Sequence, residues 1–267
     1  MESCLQCCLI YTYGLTDNLN LIQAGCCCAG KIINQFMYAD DIVLICPSAK
    51  GMRKLLNECS KYGEAYDIKF NGSKSQLMLF DSQKYGVEAN LTLAGTSLKY
   101  VSNYNYLGHI IDNRLRDDLE VDMQSKKGLL YGRSNMLIRQ FYNCSKEIKN
   151  RLFSAYCSNL YLCFLWSSYR QSVYNAVKVA YNNSYRILHN LDRRCSASGM
   201  FVLNNVYSFP EMLRKRSLGF MNRLKLSQND ILSTIVQSDM YNSSELTLTW
   251  HNMIYSGFIK NNILITL

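Results

Sequence analysis

Apolar and polar positions fall into two rhythms along the chain. As far as about Asn113 the apolar residues come in short runs broken by Gly, Asn and Ser, the mark of brief strands and tight turns. From Asp117 onward they recur near every third, fourth or seventh residue, the mark of helices. In the first region a loose helical period through Leu5, Leu9, Leu15, Leu19 and Ile22 predicts a helix over 1–22. Gly25 and Gly30 bracket a short strand, Cys26–Ala29. Lys31–Tyr38 and Ile42–Cys46 then read as the arms of a β-hairpin. After Pro47, Ser48 is an N-cap for an amphipathic helix through Met52, Leu55, Leu56, Cys59 and Tyr62, with Gly63 near its end. Strands are expected at Ile68–Phe70 and Gln76–Phe80 around the turn Asn71-Gly72-Ser73, and at Tyr104–Ile111. Leu91–Leu93 and Ser97–Val101 flank Ala94-Gly95-Thr96 as a small hairpin.

In the second region Met123, Leu130, Leu137 and Phe141 line one face of a helix. Its acidic start (Asp117, Asp118, Glu120, Asp122) and basic continuation suit the helix dipole. Ser145 caps a second helix expected to run to about Leu165, and Ser172–His189 makes a third. Asp192–Tyr207 reads as irregular, and Ser208 with Pro210 opens a fourth helix. The tail after Ser227 is weakly patterned and expected to pack loosely. The fold class is α+β, divided into 1–113, 114–227 and 228–267.

Charge changes this picture more than overall composition does. Residues 1–119 carry 11 Lys+Arg against 12 Asp+Glu, residues 120–225 carry 17 against 5, and residues 226–267 carry 1 against 3, which sums to +9. A second region at +12 has the electrostatic footprint of a polyanion binder. Its aromatics Tyr131, Phe141, Tyr142, Phe153, Tyr156, Tyr161, Phe164 and Trp166 are expected mostly in the core, and His109 and His189 read as structural. Hydrophobic residues at 48% with 18% charged exclude a wholly disordered chain. The apolar stretch Leu152–Tyr169 is interrupted by serines and an asparagine and reads as buried helix, so no membrane span is expected. The chain opens without a secretory signal, and its 12 cysteines lack a disulfide layout, which predicts an intracellular location, nuclear or cytoplasmic. Cys4-x-x-Cys7 with Cys26-Cys27-Cys28 has the wrong spacing for a zinc knuckle.

The candidate chemistry sits at Tyr38-Ala39-Asp40-Asp41. Two adjacent carboxylates between apolar strands, with no cation nearer than Lys31 and Lys50, call for a compensating ion. Mg²⁺ is the natural choice, because it takes one or two carboxylates and completes its shell with water and phosphates. Mn²⁺ is the alternative.

Taken in order, these pieces resemble the palm and thumb of a reverse transcriptase from a non-LTR (LINE-type) retrotransposon. Tyr38-Ala39-Asp40-Asp41 resembles the metal-binding motif C. Tyr66 through Ser75, with Asn71-Gly72-Ser73-Lys74 at its centre, resembles motif D. Tyr106-Leu107-Gly108 is similar to the motif E strand, Asp117–His189 to the basic thumb, and Arg193–Phe201 to a segment common in such proteins. The resemblance implies a partial polymerase palm, a β-hairpin with packed helices, followed by an all-helical thumb-like domain. It implies RNA-directed DNA polymerase chemistry on an RNA template, a DNA primer and deoxynucleotides. Asp40 would bind metal directly and Asp41 support it. Tyr38 would border the nucleotide, Lys74 the triphosphate, and Tyr106, Leu107 and Gly108 the primer end. Lys126, Lys127, Arg133 and Arg139 would meet nucleic-acid phosphates.

The third carboxylate of such enzymes, in motif A, and the Gln-Gly of motif B have no counterpart here. Only Glu2 and Asp17 precede the hairpin, and Tyr13 stands where an Asp is usual. The chain is therefore expected to be an N-terminally truncated polymerase, inactive alone. The alternatives are a non-catalytic nucleic-acid-binding remnant and an interaction module.

Overall fold

The structure is a computed structural model and describes residues 13–80, 89–114, 119–160, 162–168 and 171–259. It mixes helices with small two-stranded sheets, compatible with the α+β class. Two compact units divide it, Met1–Ser102 and Asn103–Leu267.

In the first unit, α1 covers 13–21 and buries Leu15 and Leu19; the rest of the predicted first helix lies outside the described residues. Lys31–Tyr38 is not one arm. It breaks at Asn34 into β2 (Lys31–Ile33), paired with β1 (Cys26–Cys28), and β3 (Gln35–Tyr38), paired with β4 (Asp41–Leu44). The break has a polar cause: Asn34 Nδ2 donates to the Leu19 carbonyl at 2.7 Å, tying the junction to α1. Next along, Gln35 Nε2 donates to the Thr16 carbonyl at 3.0 Å.

Helix α2 (Ala49–Tyr66) starts as its sequence predicts, with Gly51 N–H donating to Ser48 Oγ at 3.1 Å. It runs past Gly63 and ends at Asp67, a left-handed cap with φ 54°. The buried face of α2 joins α1 and Leu91, Leu93 and Leu98 in one core, against which Met37, Ile42 and Leu44 of the hairpin pack. Ile68–Phe70 forms no strand. The Ile68 N–H instead donates to the Gly63 carbonyl, and a Cβ at Gly63 would lie 2.7 Å from the Ile68 carbonyl oxygen, so the chain turns back tightly over the helix end. Only β5 (Gln76–Leu77) remains of the next predicted strand, running parallel to β8 (Lys99–Tyr100). The small hairpin is β6 (Thr92–Leu93) with β7 (Thr96–Ser97).

The second unit opens with β9 (Asn103–Tyr106) and β10 (His109–Asp112), an antiparallel hairpin. The single strand expected over Tyr104–Ile111 is thus two, because Leu107 (φ 48°) and Gly108 (φ 78°) make a primed two-residue turn. Helices follow: α3 (Leu119–Phe141), α4 (Lys146–Tyr156), a 3₁₀ segment (Cys163–Ser168), α5 (Gln171–His189), α6 (Ala197–Val202) and α7 (Phe209–Lys225). Met123, Leu130 and Leu137 of α3 are buried with Phe153, Tyr181, Tyr185, Phe201 and Phe209 in one aromatic-rich core.

Three expectations change in this unit. Helix α4 stops at Tyr156 rather than near Leu165, because Arg133 Nη1 takes the Tyr156 carbonyl at 2.8 Å and satisfies the helix end. The region Asp192–Tyr207 holds helix α6, capped by Ser196, and is not wholly irregular. The tail is not loose: α8 (Asp230–Gln237), α9 (Asp239–Asn242) and α10 (Glu245–Ile259) follow α7, and Trp250 is 1% exposed in a cluster with Met221 and Ile254. Ser208 and Glu211 form the capping box that starts α7.

Candidate functional site

The register of the β3–β4 hairpin decides what its tip presents. Gln35 pairs with Leu44, Phe36 with Val43, Met37 with Ile42 and Tyr38 with Asp41. Side chains alternate across a strand, and Met37, Ile42 and Leu44 face the core. Phe36, Tyr38, Asp41 and Val43 therefore share the outer face, where Tyr38 is 63% exposed and Phe36 40%. Asp40 sits at the apex, and both carboxylates are exposed.

The apex differs from the other tight turns. Ala29-Gly30, Ala94-Gly95 and Leu107-Gly108 each put a glycine with φ of 77–80° at the second turn position. In the fourth turn Ala39 has φ 54°, and Asp40 takes the place that glycine takes elsewhere. Ala39 is left-handed like Ala29, Ala94 and Leu107, but Asp40 does not take the positive φ that the glycines take, so this turn accepts a carboxylate at its second position without backbone strain.

Lys74 lies on a loop of the same unit and is exposed. Its position is set by Asn71, whose Oδ1 accepts from Ser73 Oγ at 2.7 Å and from the Lys74 N–H at 3.1 Å. Ser75 Oγ donates to the Asn71 carbonyl at 2.9 Å. Gly72 is required because a Cβ there would stand 2.7 Å from Thr96 Cβ. The Asn-x-x-Lys spacing is thus a side-chain-closed turn that presents a lysine, and Asn71, at the head of the motif D resemblance, is the residue that closes it. Tyr106 ends β9, and Leu107 and Gly108 make the β9–β10 turn, so the three do not lie along one strand.

Residues 8–111 match the family model for reverse transcriptase (RNA-dependent DNA polymerase). This stretch is similar to reverse transcriptases. The match takes in the Asp40–Asp41 apex, the Asn71–Lys74 turn and the β9–β10 turn, and it stops before α3. No curated protein matches the chain.

For the divalent ion that such a domain implies, Asp40 and Asp41 supply hard oxygen donors of the kind Mg²⁺ prefers. Among the described residues no group of three or more His, Cys, Asp or Glu side chains is gathered for a metal. Of the cysteines suggested for zinc, Cys4 and Cys7 lie outside the described residues. Cys26 and Cys28 point to one side of β1 and Cys27 to the other, so these three do not converge. Burial pushes the Cys59 thiol up to about 12 and the Cys163 thiol up to about 11, so neither is a thiolate near neutrality.

The four cations expected to meet phosphates are not equivalent. Lys126 is only 8% exposed, and its charge acts on Cys163 beside that of Arg216. Arg133 caps α4. Lys127 is half-buried and Arg139 is exposed. The reason is geometric: the heptad that buries Met123, Leu130 and Leu137 sets Lys126 and Arg133 three residues further along the same stripe. Besides Arg139, accessible cations include Lys146 and Arg151 of α4 and Lys215, Arg223 and Lys225 of α7. Among the described residues no helix is long and apolar enough to cross a membrane.

Lys146 and Lys149 bear on His189 at the end of α5. Burial first, then the charges of Lys149 and Lys146, push it down from 6.5 to about 4. Its Nε2 is buried without a hydrogen-bond partner among the described residues, and its ring lies 4.4 Å from that of Tyr185. The unfolded chain takes up a proton as pH falls through 6.5, and the folded chain does so only near 4. Stability is therefore full above about pH 6.5 and is lost as pH falls between those values. With solvent screening allowed for at a half-buried site, the loss is about 1–2 kcal/mol. Urea unfolding at pH 7.5 and 5 measures it, and His189→Gln should flatten the difference.

Proposed function

We propose that the chain is the carboxy-terminal part of an RNA-directed DNA polymerase of the LINE type, carrying palm motifs C to E and a basic, thumb-like helical region. The observation that carries this reading is the carboxylate apex at Asp40–Asp41, held on a short hairpin packed against the core, inside the stretch that matches reverse transcriptases. Asp40 would hold a divalent ion with Asp41 in support. That ion would supply charge stabilisation at the phosphoryl group during nucleotide addition to a primer 3′-hydroxyl. Tyr38, across the hairpin from Asp41, borders the nucleotide. Lys74, on the turn that Asn71 closes, would meet the triphosphate's negative charge, and Tyr106, Leu107 and Gly108 would meet the primer end. The template is RNA, the primer DNA, and the setting nuclear or cytoplasmic.

Among the described residues the apex gathers two carboxylates and no third ligand of the kind this chemistry uses, so the chain alone is expected to be inactive and to bind metal weakly. Two measurements test this. Mn²⁺ binding followed by electron paramagnetic resonance should be weak, and Asp40→Asn should reduce it by about tenfold or more. Primer extension by the full chain should give no product; robust synthesis that Asp40→Asn abolishes would overturn the incomplete-site reading. A second reading, a nucleic-acid-binding protein without chemistry, is favoured by the +12 charge of residues 120–225. It predicts salt-sensitive binding that Asp40→Asn leaves unchanged.

A further inference from the structure

Most aromatic side chains of the second unit are buried or half-buried, but two exposed tyrosines each carry a lysine. Tyr142, just past the end of α3, is 71% exposed, and Lys149 Nζ lies 5.6 Å from its ring centroid. Tyr207, just before α7, is 52% exposed, and Lys215 Nζ lies 4.4 Å from its ring centroid and 3.3 Å from its hydroxyl. Neither ring is needed to fill the core.

The setting of the first pair favours an anion. Lys146 and Lys149 occupy the first turn of α4, where the positive helix end disfavours cations. The neighbouring Glu147 is held by its own backbone N–H and by Ser145 at the cap. The field of both lysines is felt at His189, which is held neutral.

Their neighbours on α5 give the two pairs levels along its axis. The charges of Lys149 and Lys146 act on His189, Tyr185 Oη donates to Asn150 Oδ1 at 2.8 Å, and Tyr181 Oη donates to the Tyr207 carbonyl at 3.0 Å. Tyr181, Tyr185 and His189 are spaced four apart, so the two levels differ by a rise of about 12 Å. That is about three to four nucleotide steps of a strand. Base faces are open to stacking only where the strand is unpaired, and stacking on tyrosine accepts any base.

We propose that Tyr142 and Tyr207 are two stacking platforms for one single-stranded segment of nucleic acid, with Lys149, Lys146 and Lys215 meeting its phosphates. This rests on the reading of the second unit as nucleic-acid-binding, and deepens it by naming the form bound and the contacts. The ring exposure supplies the base contact and the lysines the charge.

Fluorescence anisotropy with the full chain, a labelled oligouridylate and a labelled duplex across a salt series tests it. Tyr142→Ala and Tyr207→Ala should each weaken single-strand binding about tenfold with the salt slope unchanged. Tyr142→Trp and Tyr207→Phe should keep it, and duplex binding should not change. Lys149→Gln should instead reduce the salt slope by about 1. Both tyrosines are exposed, and circular dichroism should show both alanine variants folded. If the parent chain binds the single strand and the alanine variants bind it equally well, the platforms are wrong while the basic surface stands. If the parent chain binds neither ligand, or binds without a negative salt slope, both readings fall.

Discussion

Phe153→Ala should lower the stability of the second unit by about 3–5 kcal/mol, the range for deleting a fully buried aromatic ring. Phe153 is 0% exposed, and its ring lies 5.0 Å from those of Tyr181 and Tyr185, edge-on to both. Phe201 completes the cluster at 6.5 Å. Removing the ring leaves a cavity between α4, α5 and α6 that two tyrosines cannot collapse into. Each hydroxyl is tethered, Tyr185 to Asn150 and Tyr181 to Ser158 and the Tyr207 carbonyl. Denaturant unfolding followed by far-ultraviolet circular dichroism measures the effect. A loss below about 1 kcal/mol would show that the cluster does not pack as described. Phe153→Leu should recover much of the loss by refilling the site.

Trp250→Ala should destabilise the tail by a similar amount, about 3–5 kcal/mol. Its ring is 1% exposed and meets Phe220 edge-on at 5.5 Å, and its Nε1 donates to the Phe164 carbonyl at 2.6 Å. The substitution removes the ring and leaves that part-buried carbonyl without its donor, adding the cost of an unmade hydrogen bond. Hydrogen exchange read by mass spectrometry should show α10 losing protection together with the 3₁₀ segment Cys163–Ser168. Unchanged protection in α10 would mean that the tail is held by other contacts. Phe220 and Phe164 stack at 3.9 Å in the same place, so Phe164→Ala should loosen the same region without touching the α3–α5 core.

Local signals in the chain were read well where one residue sufficient to the task sits next to what it controls. Ser48, Ser145 and Ser208 cap helices from one residue away, and the heptad of Met123, Leu130 and Leu137 is buried because a helix brings it to one side. The carboxylate apex was legible for the same reason: a two-residue turn between apolar strands needs no distant partner. Reading failed where the deciding atom is remote in sequence. Arg133 ends α4 from 23 residues away, and Phe164 receives Trp250 from 86 away. The tail looked weakly patterned because apolar residues in Glu245–Ile259 are spread around the helix rather than gathered in one stripe, and the Trp250 acceptor that helps anchor it is distant in sequence. Lys126 and Arg133 show the opposite error: a charge count treats every cation as surface, while the helix phase turns these two inward.

Sequence alone therefore determined the chemical character of this protein: an acidic hairpin tip, a turn that presents Lys74, a basic helical region and a resemblance to reverse transcriptases, which the family match bears out over residues 8–111. These are properties of neighbouring residues, and neighbours are what a sequence orders. Only the tertiary structure decided which cations and rings stay accessible, which face of the hairpin Tyr38 and Asp41 share, and that the tail is part of the fold. Burial depends on contacts between elements far apart along the chain, and the free energy of those contacts, not the local pattern, selects the face that water sees.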